Sequence, residues 1–400
     1  TPRVDPTAAA YVDSTSVGAA VHVRTCSGSW AAQVAASTPT RHLDFAGTSA
    51  LPGDVPAPGL LVCDPSGALT LHGGVEPRTG ERTGIDTGPP EALPDFDAFF
   101  EAFSRQLRYF VDIKIRGNNI IERIHAAWMP APFLSLLIDD CIATGRDYTD
   151  GGPRYNTSYI QGVGLGTITD ALSAVKTHVY DRGTVSMAGL VRALNDDFIG
   201  HGALREALLH DTPKFGNDDD AADALMRRVF NCYHDAINGR PNTRGGVHRI
   251  NLLPTTVHVY FGGRIGALPD GRKAGMPLSE GISPVQGADR RGPTAVVKSA
   301  AKIDHLRTGG TLLNQKFLPQ VLADHAGIEK LVHLVRAYFR LDGHHIQFNV
   351  VDAETLQRAQ AAPDEYRDLI VRVAGYSDYF VDLTPELQDE IIRRTAHDGF

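Results

Sequence analysis

The hydrophobic pattern of the chain changes character near residue 95. From Phe96 onward, Phe99, Phe100, Phe103, Leu107 and Phe110 recur at three- and four-residue spacing, which predicts a helix with one buried face. The apolar run 132–142 predicts a core helix, 156–166 a glycine-rich loop, and 168–179 a further helix. An amphipathic helix with an acidic start is expected over 218–232, then a strand-like run over 250–261 and turns in 266–275. The segment 328–339 reads as an apolar-faced helix, and 345–350 alternates like a strand. Asp352 stands at the start of another helix, 369–373 reads as a strand, and Thr384-Pro385 places an N-cap and a first-turn proline before a last helix. Strands alternating with helices indicate an α/β architecture.

The first 95 residues hold 11 of the 24 prolines and little helical periodicity, with weak strand candidates at 21–23 and 59–62. A length of 400 residues suffices for one large domain or two. A net charge of -8 and a pI near 6.0, without basic tracts, argue against nucleic acid or an anionic membrane as partner. No apolar stretch is long enough to span a bilayer and no signal peptide is visible. Thr1 at the start is compatible with a fragment or a processed product. Cys26, Cys63, Cys141 and Cys232 are widely spaced, without a CxxC pair, which fits free thiols in a reducing cytoplasm and gives no zinc spacing.

Several stretches suggest chemistry and also have plain explanations. Acidic residues in "NDDD" (217–220) suit a first helical turn as well as a metal. His344 and His345 face opposite sides of a strand, "LPDGRKAG" reads as a turn with solvated charges, and "GVGLG" lacks the acidic partner of a dinucleotide fold. In "RVAGYSDYF" (372–380), Gly375 ends an apolar strand and precedes two aromatics. A turn glycine with positive φ explains it. So does a reactive Cα–H: the radical left by hydrogen loss is stabilised between an amide nitrogen and a carbonyl, and only glycine flattens there without a side chain in the way. Such a radical requires burial away from water and oxygen, which the apolar flanks suit. Periodicity leaves both open.

"RVAGYSDYF" resembles the radical-site motif of the glycyl radical enzymes, the pyruvate formate-lyase-like family, and the resemblance extends almost without a gap from about Gly73 to Phe400. It is carried by "GGPRYNTSYIQGVGLGTITDAL" (151–172), "GNDDDAADALM" (216–226), "GRPNTRGGVHRINLLPTTVHVYFG" (239–262), the long run 266–317 and "DGHHIQFNVVD" (342–352). The stretches 109–124, 154–172 and 249–262 look most like the trans-4-hydroxy-L-proline dehydratase group.

The resemblance implies the second half of a ten-stranded α/β barrel with a C-terminal glycine-radical loop. Residues 1–69 match poorly and hold the candidate cysteine loop, 70–350 form the half-barrel, and 351–400 the glycine radical domain. Gly375 is then the radical position, with no bound cofactor and with the radical installed by a radical S-adenosylmethionine activating enzyme. A cysteine should pass the unpaired electron to a small hydroxylated substrate as a thiyl. Cys26, in "HVRTCSGSW", is the candidate thiyl and Cys63 its rival; Cys141 and Cys232 suit core packing. The family's Gly-Cys-Val-Glu is absent: Gly28 stands where the Glu would be, and no Asp or Glu follows Cys26 until Asp44. Thr255, in "LLPTT", is the candidate substrate-binding hydroxyl, an ordinary strand residue being the alternative. Family members are about twice as long. The chain therefore reads as a C-terminal portion needing a partner chain for the other half, as an inactive remnant, or as a radical-bearing repair module, and the family implies a homodimer. Other branches, among them formate C-acetyltransferases, diol dehydratases, arylacetate decarboxylases and arylsuccinate synthases, share the same C-terminal motifs.

Overall fold

The computed structural model describes residues 61–253 and 256–400. Cys26, Thr255 and the strand candidate at 21–23 lie outside the described residues. Two compact units share these residues, one built from 107–161 and 233–251, the other from 62–106, 162–232 and 252–400.

In the first unit, strands β2 (Ser158–Val163) and β3 (His248–Asn251) pair in parallel, Ser158 opposite His248 and Gln161 opposite Asn251; β1 (Leu61–Val62) completes a sheet of order β1-β2-β3. The helix Phe96–Trp128 contributes buried Leu107, Phe110, Val111, Ile115 and Ile121 to this unit. Its buried Glu122 accepts hydrogen bonds from the Ser158 hydroxyl and from the backbone and hydroxyl of Thr243, so a charge in the core is satisfied rather than orphaned. Two expectations change here. Residues 156–166 hold strand β2, not a loop: the run Tyr159–Val163 is mostly buried, and its glycine is a strand residue. The predicted core helix over 132–142 is instead two short helices, Pro132–Leu136 and Asp139–Thr144, with Phe133 76% and Leu137 68% exposed. Apolar composition alone did not specify a packing partner.

In the second unit, β4 (Leu313–Phe317) lies between β5 (Ile346–Val350) and β8 (Ala396–His397), parallel to both, with Asn314 opposite Gln347 and Lys316 opposite Asn349. β6 (Ile370–Arg372) and β7 (Ser377–Tyr379) form a separate antiparallel hairpin. Leu312, Leu356, Val371, Val373, Phe380 and Ile391 pack into a buried cluster beneath it. The predicted aromatic face is present: Phe96, Phe99, Phe100 and Phe103 are all buried, and the Arg228 guanidinium lies 3.9 Å from the centre of the Phe100 ring.

The helix expected from 218 runs Asp220–Ile237, and the Asp352 carboxylate caps Ala353–Ala361 by accepting from the Thr355 N–H. Thr384 precedes Pro385–Arg393 as expected but makes no side-chain cap. The strand-like run 250–261 stops at Asn251 and resumes as the helix Val257–Gly262; its sequence is interrupted by Pro254-Thr255-Thr256, a break that the strand reading passed over. In the turn around 270, Asp270 and Arg272 are buried, contrary to the solvated reading. Arg272 donates to the carbonyls of Gly266 and Met276, so the turn wraps around its own guanidinium. No helix among the described residues is long and apolar enough to cross a membrane.

Candidate functional site

The β6–β7 hairpin carries Gly375 at its tip. Val373 donates its N–H to the Tyr376 carbonyl, closing the turn, and Gly375 adopts φ +79°. An L side chain is strained at that angle. A Cβ placed there would meet nothing within 4 Å, so glycine is required by the backbone angle and not by crowding. Gly375 is exposed, whereas Val373 and Ala374 before it are buried. The apolar flanks on which burial of Gly375 was expected bury only themselves.

Side chains from β4 and β5 hold the hairpin. In β5, the Asn349 amide grips the backbone of Arg372 at both ends, donating to its carbonyl and accepting its N–H, each at 2.8 Å. Two residues earlier, and so on the same face of the strand, Gln347 accepts the Gly375 N–H at 3.0 Å and donates to the Val373 carbonyl at 3.3 Å. Asn314 of β4 donates to the same carbonyl at 3.3 Å, and Arg394 donates to it at 3.2 Å. Three donors thus converge on the carbonyl two residues before Gly375.

Behind them lies a buried charge cluster. Glu390 and Arg394 pair at 2.8 Å, and His258 approaches Glu390 at 3.4 Å. Burial alone would raise the Glu390 carboxyl, but the Arg394 guanidinium and then His258 outweigh it and hold the carboxyl well below its usual range. Glu280 accepts from the Ser283 hydroxyl at 2.6 Å and from Asn314; burial pushes its carboxyl up. Lys316, buried and donating to the carbonyls of Ile391 and Ile392 at the end of helix Pro385–Arg393, is pulled down to about 8, first by burial and then by Arg394. Among the described residues no group of three or more His, Cys, Asp or Glu is placed to hold a metal. Asp218, Asp220 and Asp223 are engaged by Lys302 at 3.1, 3.2 and 2.7 Å.

A family model described as pyruvate formate lyase-like matches residues 68–262, and one described as glycine radical matches 278–381, the stretch that holds the Gly375 hairpin and its clamp. The chain belongs to the glycyl radical enzymes. It is 53% identical over 327 residues to a trans-4-hydroxy-L-proline dehydratase from Clostridioides difficile, covering 82% of this chain and 41% of that protein. It is 36% identical over 334 residues to a (2S)-3-sulfopropanediol dehydratase from Klebsiella oxytoca, covering 82% and 40%. Among solved structures, the hydroxyproline dehydratase of Clostridioides difficile with trans-4-hydroxy-L-proline bound superposes with TM-score 0.82 at 52% identity, over 84% of this chain and 43% of that one. The glycerol-bound, B12-independent glycerol dehydratase of Clostridium butyricum superposes with TM-score 0.81 at 42% identity, over 84% and 42%. The α/β fold is that of these glycyl radical enzymes, and the chain spans about two fifths of the length of the curated relatives it matches.

Of the site residues expected from sequence, the described residues of this glycyl radical enzyme contain Gly375. Cys141 is buried against Gly152, where an added Cβ would come within 2.7 Å of its sulfur, and Cys232 is half-buried on helix Asp220–Ile237. Sequence reasoning did not single out Asn314, Gln347, Asn349, Glu280 or Arg394. A signal existed in β4 and β5: β4 carries three consecutive polar residues, Asn314, Gln315 and Lys316, all buried, and in β5 the polar Gln347 and Asn349 alternate with apolar residues and occupy the buried positions.

Proposed function

We propose that the chain supplies the glycine-loop half of the catalytic barrel of a glycyl radical dehydratase, with Gly375 as the radical position. The substrate is a small hydroxylated molecule from which water is eliminated; trans-4-hydroxy-L-proline is the first to test, given the 53% identity to a dehydratase of that name. The observation that carries the reading is the conformation of Gly375: a glycine at φ +79° at the tip of a hairpin held by four side chains, inside the stretch matching the glycine radical model. Once activated, Gly375 would store an unpaired electron at Cα. The residues of this chain fix the loop, through Gln347, Asn314 and Arg394 on the Val373 carbonyl and Gln347 on the Gly375 N–H.

The parallel pairs β2–β3 and β4–β5 suit one half of a ten-stranded barrel, residues 70–350 supplying that half and 351–400 the glycine radical domain. Exposure of Gly375 supports a requirement for a further polypeptide, because a carbon radical open to water and oxygen does not persist. That cover, the thiyl cysteine (Cys26 in this chain) and the substrate hydroxyl partner (Thr255) belong to the assembled enzyme, which we take to be a cytoplasmic homodimer activated by a radical S-adenosylmethionine enzyme. The same exposure supports a second reading, an inactive remnant of such an enzyme, in which the cover never arrives.

The test is anaerobic treatment with a radical S-adenosylmethionine activase, with and without the N-terminal portion of a relative, followed by electron paramagnetic resonance. A doublet absent from Gly375→Ala is expected, together with 4-hydroxyproline consumption when the N-terminal portion is present. No doublet under either condition rejects the radical assignment. A doublet without turnover rejects the substrate.

A further inference from the structure

The hydrogen bonds beneath the hairpin have a fixed direction. A backbone N–H can only donate and a carbonyl can only accept, so the Gly375 N–H and the Val373 carbonyl together force the Gln347 amide to present Oε1 to the former and Nε2 to the latter. With Nε2 so placed, Gln347 also donates to Asn314 Oδ1. Asn314 must then turn its Nδ2 the other way, where it reaches the Glu280 carboxylate and the Val373 carbonyl. The result is an unbroken series from a carboxylate to the backbone of the radical glycine: Glu280, Asn314, Gln347, Gly375. Every member runs in the same sense, each amide donating toward Glu280 and accepting from the side of Gly375.

All three side chains are buried, with Glu280 and Gln347 at or below 5% exposure, so water does not dilute the effect. Glu280 Oε2 has no hydrogen-bond partner among the described residues, and Oε1 receives both Ser283 and Asn314. The charged groups facing this carboxylate are Arg394, His258 and Glu390. Burial raises this carboxyl, so its charge is present only above that raised pKa; there, hydrogen bonds aligned head to tail polarise one another, and negative charge at Glu280 enriches electron density at Gln347 Oε1, the atom that accepts the Gly375 N–H.

We infer that Glu280, Asn314 and Gln347 form a one-way hydrogen-bond relay that holds and polarises the N–H of Gly375, and that they are positioning residues for the radical glycine. A purely structural clamp needs only the donors on the Val373 carbonyl; the relay reaches two residues further, to the nitrogen of Gly375 itself, which shares spin with Cα in a captodative radical. Drawing density onto that nitrogen strengthens its donor character toward the Cα centre. The inference rests on the assignment of Gly375 as the radical position.

It is tested on resting protein that has never carried a radical. Glycine-selective 15N labelling gives the Gly375 amide signal, assigned by its disappearance in Gly375→Ala. In Gln347→Ala the amide proton should move upfield and its exchange with solvent quicken about fivefold to tenfold, the loss of one net hydrogen bond. Gln347→Glu retains an acceptor and should retain the protection. Measured above the raised pKa of Glu280, Glu280→Gln removes the charge and keeps the shape; the amide proton should move upfield while exchange stays within about twofold of wild type. Should Gln347→Ala fail to fold, Gln347→Glu breaks the relay instead, and adding Glu280→Gln to it should cause no further shift. An unmoved Gly375 amide in Gln347→Ala, or a shift there with none in Glu280→Gln, overturns the relay. Because no radical is involved, a missing paramagnetic doublet would sink the radical assignment and leave these results standing.

Discussion

Gln347 and Gly375 stand 28 residues apart in sequence, and the side-chain carbonyl of the first accepts the backbone N–H of the second at 3.0 Å. This contact ties the tip of a hairpin to strand β5 of a parallel sheet. It also sets an expectation for each group around it.

Gly375→Ala should fold. Its new Cβ meets nothing within 4 Å, and the cost is the positive φ, about 1–2 kcal/mol. Circular dichroism on heating should show a loss of a few degrees in Tm. A collapse of secondary structure would mean that the space around the hairpin tip is filled.

Arg394→Ala should be far more damaging. It strips the guanidinium from fully buried Glu390, leaving the carboxylate with Gln286 at 3.0 Å and His258 at 3.4 Å, and removes a donor from the Val373 carbonyl. Breaking a buried pair from one side costs about 3–5 kcal/mol. Urea denaturation should show that loss, and Glu390→Gln in the same chain should recover part of it. A double variant no better than the single one would indicate that the carbonyl contact, not the loss of the guanidinium from Glu390, dominates.

Asp170 gives a pH dependence of definite sign. It is fully buried and its Oδ1 accepts the Phe215 N–H, but Oδ2 has no partner among the described residues; burial raises its carboxyl to about 7. Its stabilising contribution is therefore complete below the unfolded value near 4 and is lost as pH rises toward about 7. Asp170→Asn keeps the acceptor for Phe215 and cannot ionise. The variant should gain stability relative to wild type between pH 5 and about 8, followed by chemical denaturation across that range. Parallel curves for the two proteins would refute it.

Two phenylalanines should behave in opposite ways. Phe103 is fully buried, and Phe103→Ala should cost about 3–5 kcal/mol. Phe133 is 76% exposed, and Phe133→Ala should change stability by no more than about 0.5 kcal/mol. Equal losses in Tm would show that 132–142 is packed after all.

Sequence reasoning read well where a period was long and unmixed. The phenylalanine face of helix Phe96–Trp128 and the capped helix after Asp352 follow directly from spacing and side-chain chemistry. It failed where composition stood in for period: the run 132–142, interrupted by Ser135 and Asp139-Asp140, lies largely exposed, and 250–261 was read as one strand across its Pro-Thr-Thr interruption although the strand ends at Asn251 and a helix starts at Val257. The turn conformation of Gly375 was legible because its demand is local, whereas its reading as a radical position came only from the resemblance. Its clamp was not legible, because Asn314, Gln347, Asn349 and Arg394 come from separate elements and meet only through the register of β4 with β5.

The β6–β7 hairpin shares no backbone ladder with the β5-β4-β8 sheet. Its attachment consists of amide and guanidinium side chains together with the apolar packing of Val371, Val373 and Phe380. A strand taken out of a sheet leaves a row of unpaired donors and acceptors on its neighbours. Drawing this hairpin away would break no pairing of β4 with β5 or β8, so its tether to the sheet is side-chain chemistry and packing, not a stave of the wall.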